Sequence, residues 1–244
     1  MASHDTAVTL TDCKWVKNGP IAHRALHDPS KNIYENSLSA AKSAVEHGYA
    51  IEVDLQFSKD RVPMVFHDFN LERMTGHEGK VRETDMAALK SLKLGNSEDF
   101  IPTLKDLLNL VDGKSGLVLE LKGMPGDDDG FVAAVARDLE NYSGDVCIMS
   151  FYHHLLRDAR QYAPHLPLGL TAEGDEKFHQ QHLKIANECD VEFVSYQLEN
   201  LDCDFAQNFR KTGKPMICWT VKNEEDLVRS NLFADQPTFE GFLA

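Results

Sequence analysis

Two features of membrane and secreted proteins are missing from the sequence. No window of its 244 residues approaches the roughly 18 consecutive apolar positions that a membrane-spanning helix needs. The N-terminal stretch MASHDTAVTLTDCKW is polar and has no apolar core of the kind found in secretory signals. We therefore expect a soluble chain that makes no stable association with a membrane.

Paired cysteines are missing as well. The five cysteines are scattered along the chain, odd in number, and form no CxxC pair. This usage is typical of thiols in a reducing compartment, so we expect a cytoplasmic protein. No cluster of Cys and His residues has the spacing of a zinc site. The cysteines are Cys13, Cys147, Cys189, Cys203 and Cys218.

The chain also has little positive charge. Its 25 Lys and Arg residues stand against 39 Asp and Glu residues, which gives a formal net charge of -14. Such a chain gains no counterion-release affinity from DNA or RNA and no attraction to an anionic membrane. We therefore expect no nucleic-acid partner. An anionic substrate would need Arg, Lys or a metal ion at its binding site.

What the sequence does contain is a regular alternation of short apolar runs and helical patterns. Strands that alternate with helices form a parallel sheet, and eight such units predict a closed (β/α)8 TIM barrel, an α/β fold, as one domain over residues 1–244. An open, doubly wound sheet is the alternative, which is disfavoured because no GxGxxG follows the first strand. The predicted strands are residues 19–25, 50–56, 116–122, 145–151, 166–171, 191–197, 215–221 and 231–237.

One segment interrupts this alternation after the second strand. The run VPMVFHD (62–68) follows too closely to be a full barrel unit, so it predicts a short hairpin-like extension. Residues 69–112 are polar and turn-rich and predict a small insertion beside the carboxyl ends of the strands. Thr103 and Gly113 predict the start and the end of a helix near the close of this segment.

Charged residues stand at the carboxyl ends of predicted strands, where barrel proteins carry their chemistry. Residues i and i+2 of a strand point to the same side, so Glu52 and Asp54 point together, as do Glu120 and Lys122. Three carboxylates in a low-dielectric cleft repel one another unless their pKa values rise or a cation neutralises them. Oxygen ligands favour Mg²⁺ or Ca²⁺, and such an ion favours an oxyanion substrate such as a phosphate.

Each of these features also has an ordinary structural interpretation. Arg24 and Lys122 could serve only as salt-bridge partners of the acids, and Trp219 could be a core residue. We interpret His179 and His182 as helix surface. The conjunction of two acids, a His-Arg pair, a His-Asp pair and a Glu-x-Lys at strand ends is what favours a functional site.

Six short motifs follow one another along the chain. They are His23-Arg24, Glu35-Asn36, Glu52-Val53-Asp54, His67-Asp68, Glu120-Leu121-Lys122 and Trp219-Thr220. Their order resembles the glycerophosphodiester phosphodiesterases over nearly the whole length of the chain. The tail FADQP resembles the final Thr-Asp-x-Pro of that family. Ala25 and Tyr34 depart from the usual Gly and Pro, and the tail leaves little room for a closing helix.

The resemblance implies a reaction and a cation site. The reaction is hydrolysis of a small glycerophosphodiester to sn-glycerol 3-phosphate and an alcohol such as choline or ethanolamine. Glu52, Asp54 and Glu120 would hold a divalent cation, Mg²⁺ or Ca²⁺. Arg24 and Lys122 would bind the phosphate.

The resemblance also implies that His23 and His67 are the general acid and base. It leaves open which is which, and whether water or the substrate's own glycerol hydroxyl attacks the phosphorus. Trp219 would pack against the glycerol, and Glu35 would hold the neighbouring arginine in place. The oligomeric state is open.

Three rival functions remain at this point. A sphingomyelinase D-like or a phosphoinositide phospholipase C-like enzyme would use the same barrel and a His pair. A lipid substrate is disfavoured because the loops LHDPSKN, MPGDDDG and ENLDCD are polar and acidic. A barrel that binds a phosphodiester without catalysis is the remaining rival, and it predicts loss of a His or of a metal ligand.

Overall fold

The computed structural model describes residues 13–244, and its strands close into a barrel. Eight parallel strands form the ring. The ring is closed because β1 pairs with both β2 and β9. The predicted (β/α)8 fold is therefore confirmed. The additional strand β3 pairs antiparallel with β2, as the run at 62–68 predicted. The strands are β1 (Ile21–Ala22), β2 (Ala50–Phe57), β3 (Pro63–Val65), β4 (Leu117–Leu121), β5 (Val146–Ser150), β6 (Leu168–Ala172), β7 (Phe193–Gln197), β8 (Met216–Val221) and β9 (Gln236–Phe239).

Capping residues mark the ends of several helices, and Thr103 begins the fourth helix as the sequence predicts. Ser37 caps the first helix by accepting a hydrogen bond from the backbone N–H of Ala40 at 3.0 Å, and Gly48 ends it with φ 73°. Thr103 and Asp106 form a capping box at the fourth helix. The helices are α1 (Leu38–His47), α2 (Glu72–Thr75), α3 (Met86–Leu89), α4 (Leu104–Val111), α5 (Phe131–Leu139), α6 (His153–Tyr162), α7 (His179–Glu188), α8 (Asp204–Lys211) and α9 (Glu224–Phe233). Within residues 13–244, none of them has the length and apolar character needed to cross a bilayer.

The prediction of the last strand at 231–237 is wrong. Leu232 and Phe233 of this run belong to α9, and the side chain of Phe233 packs against the apolar core. The strand β9 starts later, at Gln236, and continues to Phe239. In the tail FADQP, Phe233 therefore ends α9, and Gln236 and Pro237 begin β9. Between them, the Asp235 carboxylate accepts a hydrogen bond from the backbone N–H of Met216 at 2.8 Å. No helix follows β9 within the described residues, as the short tail predicted.

The barrel has two apolar layers. Residues such as Val53 and Leu119 point outward and are buried beneath the surrounding helices. Residues such as Val118 and Phe193 point inward and fill the lower half of the barrel. The 3-10 helix Cys13–Lys17 packs against this inner group. Because apolar side chains fill the lower half, polar side chains can converge only at the upper, carboxyl end.

The segment 69–112, predicted as one insertion, divides into two parts. Residues up to Ile101 pack with β3 around a small apolar core of their own. The helix α4 instead packs in the main core, since Leu104, Leu107, Leu108 and Val111 lie on one face. The part with a separate core therefore ends before α4. That core consists of Met64, Phe66, Leu71, Met74, Val81, Leu89, Leu94 and Ile101.

The interpretation of His182 as helix surface is also wrong. Only 6% of the His182 surface is exposed to solvent. Its ring lies 5.2 Å from that of Phe205, 5.7 Å from that of Tyr196 and 5.9 Å from that of Phe178, measured between centroids. Burial lowers the pKa of His182 to about 4. This histidine is therefore a neutral core residue on the buried face of α7, and it does not line the cavity at the barrel mouth.

Substitution of Gly169 tests the packing of the inner apolar layer. A Cβ added to Gly169 would lie 2.2 Å from the ring of Phe193, whereas one added to Gly19 would meet nothing within 4 Å. We expect Gly169→Ala to lower the free energy of unfolding by about 1–3 kcal/mol through overpacking. The control Gly19→Ala should stay within about 1 kcal/mol of wild type. Urea denaturation followed by circular dichroism measures both, and equal values would contradict this packing.

Candidate active site

The carboxyl ends of the strands surround one cavity of about 160 Å³. All eight residues predicted from the sequence to form the site line this cavity. The side chains of Met149, Phe151 and Ser195 contribute further to its wall. The predicted residues are His23, Arg24, Glu52, Asp54, His67, Glu120, Lys122 and Trp219.

Three carboxylates form the floor of the cavity. Glu52 and Asp54 point inward from β2, and Glu120 lies opposite Asp54 in the register of β4. Their exposed fractions are 2%, 2% and 6%. One oxygen from each lies within 4.8 Å of the others. Strand pairing therefore fixes these acids together on rigid elements, away from bulk water.

Two cations and an amide contact this floor. The Lys122 ammonium lies 2.5 Å from Glu120 Oε1 and 3.0 Å from Asp54 Oδ1. Arg24 Nε lies 3.7 Å from Asp54 Oδ2, and the Asn36 amide donates to the same oxygen at 2.9 Å. Lys122 and Arg24 are therefore ion-pair partners of the acids, as one interpretation of the sequence predicted. The same placement lets both side chains face the cavity.

The charges divide the three acids into two kinds. Burial, together with the charges of Asp54 and Glu120, raises the pKa of Glu52 well above its ordinary value. Burial raises the pKa of Glu120 to about 7, although Lys122 opposes the rise. Burial acts on Asp54 as well, yet the positive charge of Lys122 above all lowers its pKa below the usual range.

This donor set fits a hard divalent cation. Three carboxylates face only the charges of Lys122 and Arg24, so negative charge remains in excess. Burial above all, together with the charges of the neighbouring acids, raises the pKa values of Glu52 and Glu120, and a bound cation would counter both effects. The candidate ligands are all oxygen atoms, which suits Mg²⁺ or Ca²⁺ better than a soft metal ion.

Each of the two histidines is paired with a carboxylate. His23 Nδ1 lies 2.6 Å from Glu240 Oε2, and His67 Nδ1 lies 2.7 Å from Asp68 Oδ1. We assign the proton to Nδ1 in both rings because each faces a carboxylate acceptor. This tautomer leaves both Nε2 atoms available to accept a proton. Burial lowers the pKa of both histidines.

The sequence did not point to Glu240. The misplaced last strand ended this region at residue 237, which left Glu240 outside any predicted element. With β9 at Gln236–Phe239, Glu240 becomes the first residue after the strand. Barrel proteins carry functional residues directly after their strands, so a correctly placed last strand would have pointed to Glu240. Besides His23, its carboxylate contacts Lys222 Nζ at 3.1 Å and lies 3.7 Å from His27 Nε2.

Two arginines of the segment after β3 also reach the site. Arg82 forms a buried ion pair with Asp128 at 2.6 Å and donates a hydrogen bond to the carbonyl of Lys122 at 3.0 Å. Arg73 contacts Glu35 and Asp68. This segment has no regular apolar period, so its sequence gives no sign of which side chains turn toward the barrel.

The loop after β1 explains one departure from the family pattern. Arg24 and Ala25 both have positive φ angles, 51° and 64°. Glycine adopts this left-handed region without strain, which accounts for Gly as the usual residue at position 25. The Ala25 N–H donates to the carbonyl of Glu52 at 2.8 Å, so the loop keeps its connection to β2. The substitution therefore leaves Arg24 directed at the site.

A second, larger cavity of about 570 Å³ opens beside the first. The two share His67, Lys122 and Phe151. Phe69 and Tyr152 add further aromatic surface to the second cavity. The edge of Phe151 meets Trp219 with 5.4 Å between ring centroids. The two cavities together form one path from solvent to the carboxylates.

The sequence profile of the Glycerophosphoryl diester phosphodiesterase family matches residues 23–233. The chain belongs to this family. The glycerophosphodiester phosphodiesterase of Caldanaerobacter subterraneus subsp. tengcongensis is 33% identical over 227 residues, 86% of this chain and 88% of that protein. Bovine glycerophosphodiester phosphodiesterase 1 is 23% identical, over 84% of this chain and 72% of its own length. The predicted hydrolase family is therefore confirmed.

Solved structures share this barrel. A phosphodiesterase of Oleispira antarctica, in complex with the product sn-glycerol-3-phosphate, has a TM-score of 0.84 at 23% identity, covering 94% of this chain and 95% of that one. The glycerophosphodiester phosphodiesterase of Thermotoga maritima has a TM-score of 0.74 at 21% identity, covering 91% and 94%. At these identities the likeness concerns the fold alone.

The protonation of Glu120 makes stability depend on pH. The folded state raises its pKa from 4.5 to about 7, so the stability it contributes is complete below pH 4.5 and is lost as pH rises through about 7. A divalent ion must displace this proton. We therefore expect Mg²⁺ or Ca²⁺ to raise the Tm of EDTA-treated protein more at pH 8 than at pH 6.

Two variants control this measurement, which scanning calorimetry provides. Glu120→Gln should lose most of the stabilisation by the ion at both pH values. Glu98→Gln changes a carboxylate whose side chain is 92% exposed, so it should respond as wild type does. An equal rise in Tm for wild type and Glu120→Gln would contradict a cation site at these carboxylates.

Proposed function

We propose that the protein hydrolyses small glycerophosphodiesters to sn-glycerol 3-phosphate and an alcohol, with Mg²⁺ or Ca²⁺ as cofactor. The observation that carries this proposal is one cavity lined by three buried carboxylates, two cations and two histidines. The product bound to the Oleispira antarctica phosphodiesterase supports a glycerol phosphate as the common part of the substrate.

The phosphate would lie above the carboxylate floor, within reach of the two cations. Glu52, Asp54 and Glu120 would hold the ion, which when bound supplies Lewis-acid stabilisation of charge on a phosphoryl oxygen. Arg24 and Lys122 would donate hydrogen bonds to the remaining oxygens. Their ion pairs with Asp54 orient them before substrate arrives, which lowers the cost of ordering them during the reaction.

The two histidines would move the protons. Each presents Nε2 because a carboxylate holds its Nδ1 proton. The larger cavity borders His67 and not His23, which supports placing the alcohol on the His67 side. His67, in its doubly protonated form, would then give its Nε2 proton to the leaving alkoxide, and His23 Nε2 would take the proton of the attacking hydroxyl. Proton exchange with solvent would return both rings to their starting states. Water and the glycerol hydroxyl of the substrate are both compatible with that base.

The loops at the mouth support a water-soluble substrate. None of LHDPSKN, MPGDDDG and ENLDCD, all within the described part of the chain, carries a large apolar side chain exposed to solvent. The rings of Phe69, Phe151 and Tyr152 line the larger cavity instead. That cavity would hold a small alcohol such as choline or ethanolamine.

The thiols of Cys147, Cys189, Cys203 and Cys218 form no disulfide, which supports the predicted cytoplasmic location.

The basic test is release of sn-glycerol 3-phosphate from glycerophosphocholine, followed by a coupled assay with Mg²⁺ or Ca²⁺ and with EDTA. We expect release to require the ion, and His23→Ala to reduce kcat by about 100-fold or more. The control His47→Ala, on the exposed face of α1, should keep full activity. No release from any glycerophosphodiester by folded protein would favour the non-catalytic barrel, whereas turnover of lysolipids alone would favour the phospholipase rivals.

The order of the two histidines has its own test. An aryl diester of glycerol phosphate has a leaving group that departs without a proton, so it needs a base and no acid. We expect His67→Ala to lose about 100-fold with glycerophosphocholine and less than about tenfold with the aryl diester. His23→Ala should lose similar factors with both substrates. The reverse pattern would assign the acid to His23.

A further inference from the structure

Five alternating charged and titratable groups run around one side of the mouth. Arg24 Nη1 donates to Glu35 Oε1 at 2.8 Å, and Arg73 Nη2 donates to the same oxygen at 2.7 Å. The other edge of Arg73 meets Asp68, which holds His67 Nδ1 at 2.7 Å. The series therefore begins at the proposed phosphate ligand and ends at the proposed general acid.

Arg73 occupies the centre of this series. Its guanidinium makes four hydrogen bonds: Nε to Asp68 Oδ2 at 2.5 Å, Nη2 to Asp68 Oδ1 at 2.9 Å, Nη1 to Glu35 Oε2 at 3.0 Å and Nη2 to Glu35 Oε1 at 2.7 Å. Both carboxylates are thus held in a bidentate manner, which fixes their planes as well as their positions. Lysine cannot reproduce this geometry, since its ammonium is a point charge.

One side chain thereby joins three separate parts of the fold. Arg73 lies on α2, within the segment that has its own small core. Glu35 lies in the loop before α1, and Asp68 follows β3. Hydrogen bonds from Arg73 lower the pKa of Glu35, which burial alone would raise. Hydrogen bonds with Glu35 and Asp68 in turn raise the pKa of Arg73, so all three groups stay charged.

We propose that Arg73 is a positioning residue that sets Arg24 and His67 in their working orientations at the same time. This inference rests on the proposed function. Without Arg73, Glu35 keeps Arg24 as its one cationic partner in this series, and the plane of its carboxylate is no longer fixed. Asp68 likewise loses the partner that holds its plane, so the ring of His67 can turn. The guanidinium of Arg73 is thus one route by which the segment after β3 acts on catalysis.

A surface ion pair without a catalytic consequence is the competing interpretation. The Arg73 side chain is 48% exposed, and exposed pairs contribute little to stability. The chain offers a matched control in Arg157, whose side chain is also 48% exposed and which grips Glu188 through Nε at 2.5 Å and Nη2 at 3.0 Å. Arg157 lies on α6 and does not line either cavity.

The experiment measures kcat, KM and Tm for Arg73→Ala, Arg73→Lys and Arg157→Ala with glycerophosphocholine. Misplacement of reacting groups by about 1 Å can cost 100-fold, so we expect Arg73→Ala to lower kcat by about 10- to 100-fold. Arg73→Lys should fall between Arg73→Ala and wild type. Tm should change by less than about 4 °C in all three variants. Arg157→Ala should retain the wild-type kcat, and equal kcat values for Arg73→Ala and wild type would overturn the proposal.

A second set of variants tests the route of the effect. In a Glu35→Gln, Asp68→Asn background, Arg73→Ala should cost no more than about twofold further, because its two partners are already lost. An undiminished loss in that background would overturn a role through those carboxylates.

Failure of the proposed function is a separate outcome, since it appears as no turnover by wild type. The positioning role would then be decided by ¹⁵N NMR of the histidine rings. Arg73→Ala must change the His67 ring signals and Arg157→Ala must not, and an unchanged His67 spectrum in Arg73→Ala would overturn the proposal.

Discussion

The burial of three carboxylates on two neighbouring strands is the constraint on which the rest of the site depends. Glu52, Asp54 and Glu120 are almost fully withdrawn from water, where their mutual repulsion is strongest. Lys122 and Arg24 offset part of that repulsion, and the raised pKa values of Glu52 and Glu120 favour their neutral forms, which reduces the repulsion further. In the proposed function a divalent ion replaces those protons and brings the phosphate to the same place.

The barrel holds the three carboxylates and their partners on rigid elements, so little free energy is needed to order them. Hydrogen-bonded register fixes Asp54 opposite Glu120, while the apolar layer around Phe193 fills the barrel below them. The histidines sit on loops just beyond the strands, and each depends on a carboxylate for its orientation. Rigid strands thus carry the proposed ion ligands, and the more variable loops carry the proton-transfer groups and the contacts to the alcohol.

The parts of the molecule that could be predicted from sequence are those that follow a local period. Alternation along β2 and β4 predicts which acids share a face, and the cap residue Thr103 predicts where a helix begins. The prediction of the last strand was wrong because the apolar residues around Phe233 fit a helix as well as a strand, and only packing decides between the two. That error concealed Glu240. Arg73 could not be predicted at all, since its partners come from distant parts of the chain.

The most direct test of this account is a crystal structure of the protein grown with Mn²⁺ and sn-glycerol 3-phosphate, with the ion located by anomalous scattering. The account predicts one ion bonded to oxygens of Glu52, Asp54 and Glu120 at about 2.0–2.6 Å. It also predicts the phosphate within hydrogen-bonding distance of Arg24 and Lys122. An ion bound elsewhere, or a phosphate that contacts neither cation, would contradict the central claim.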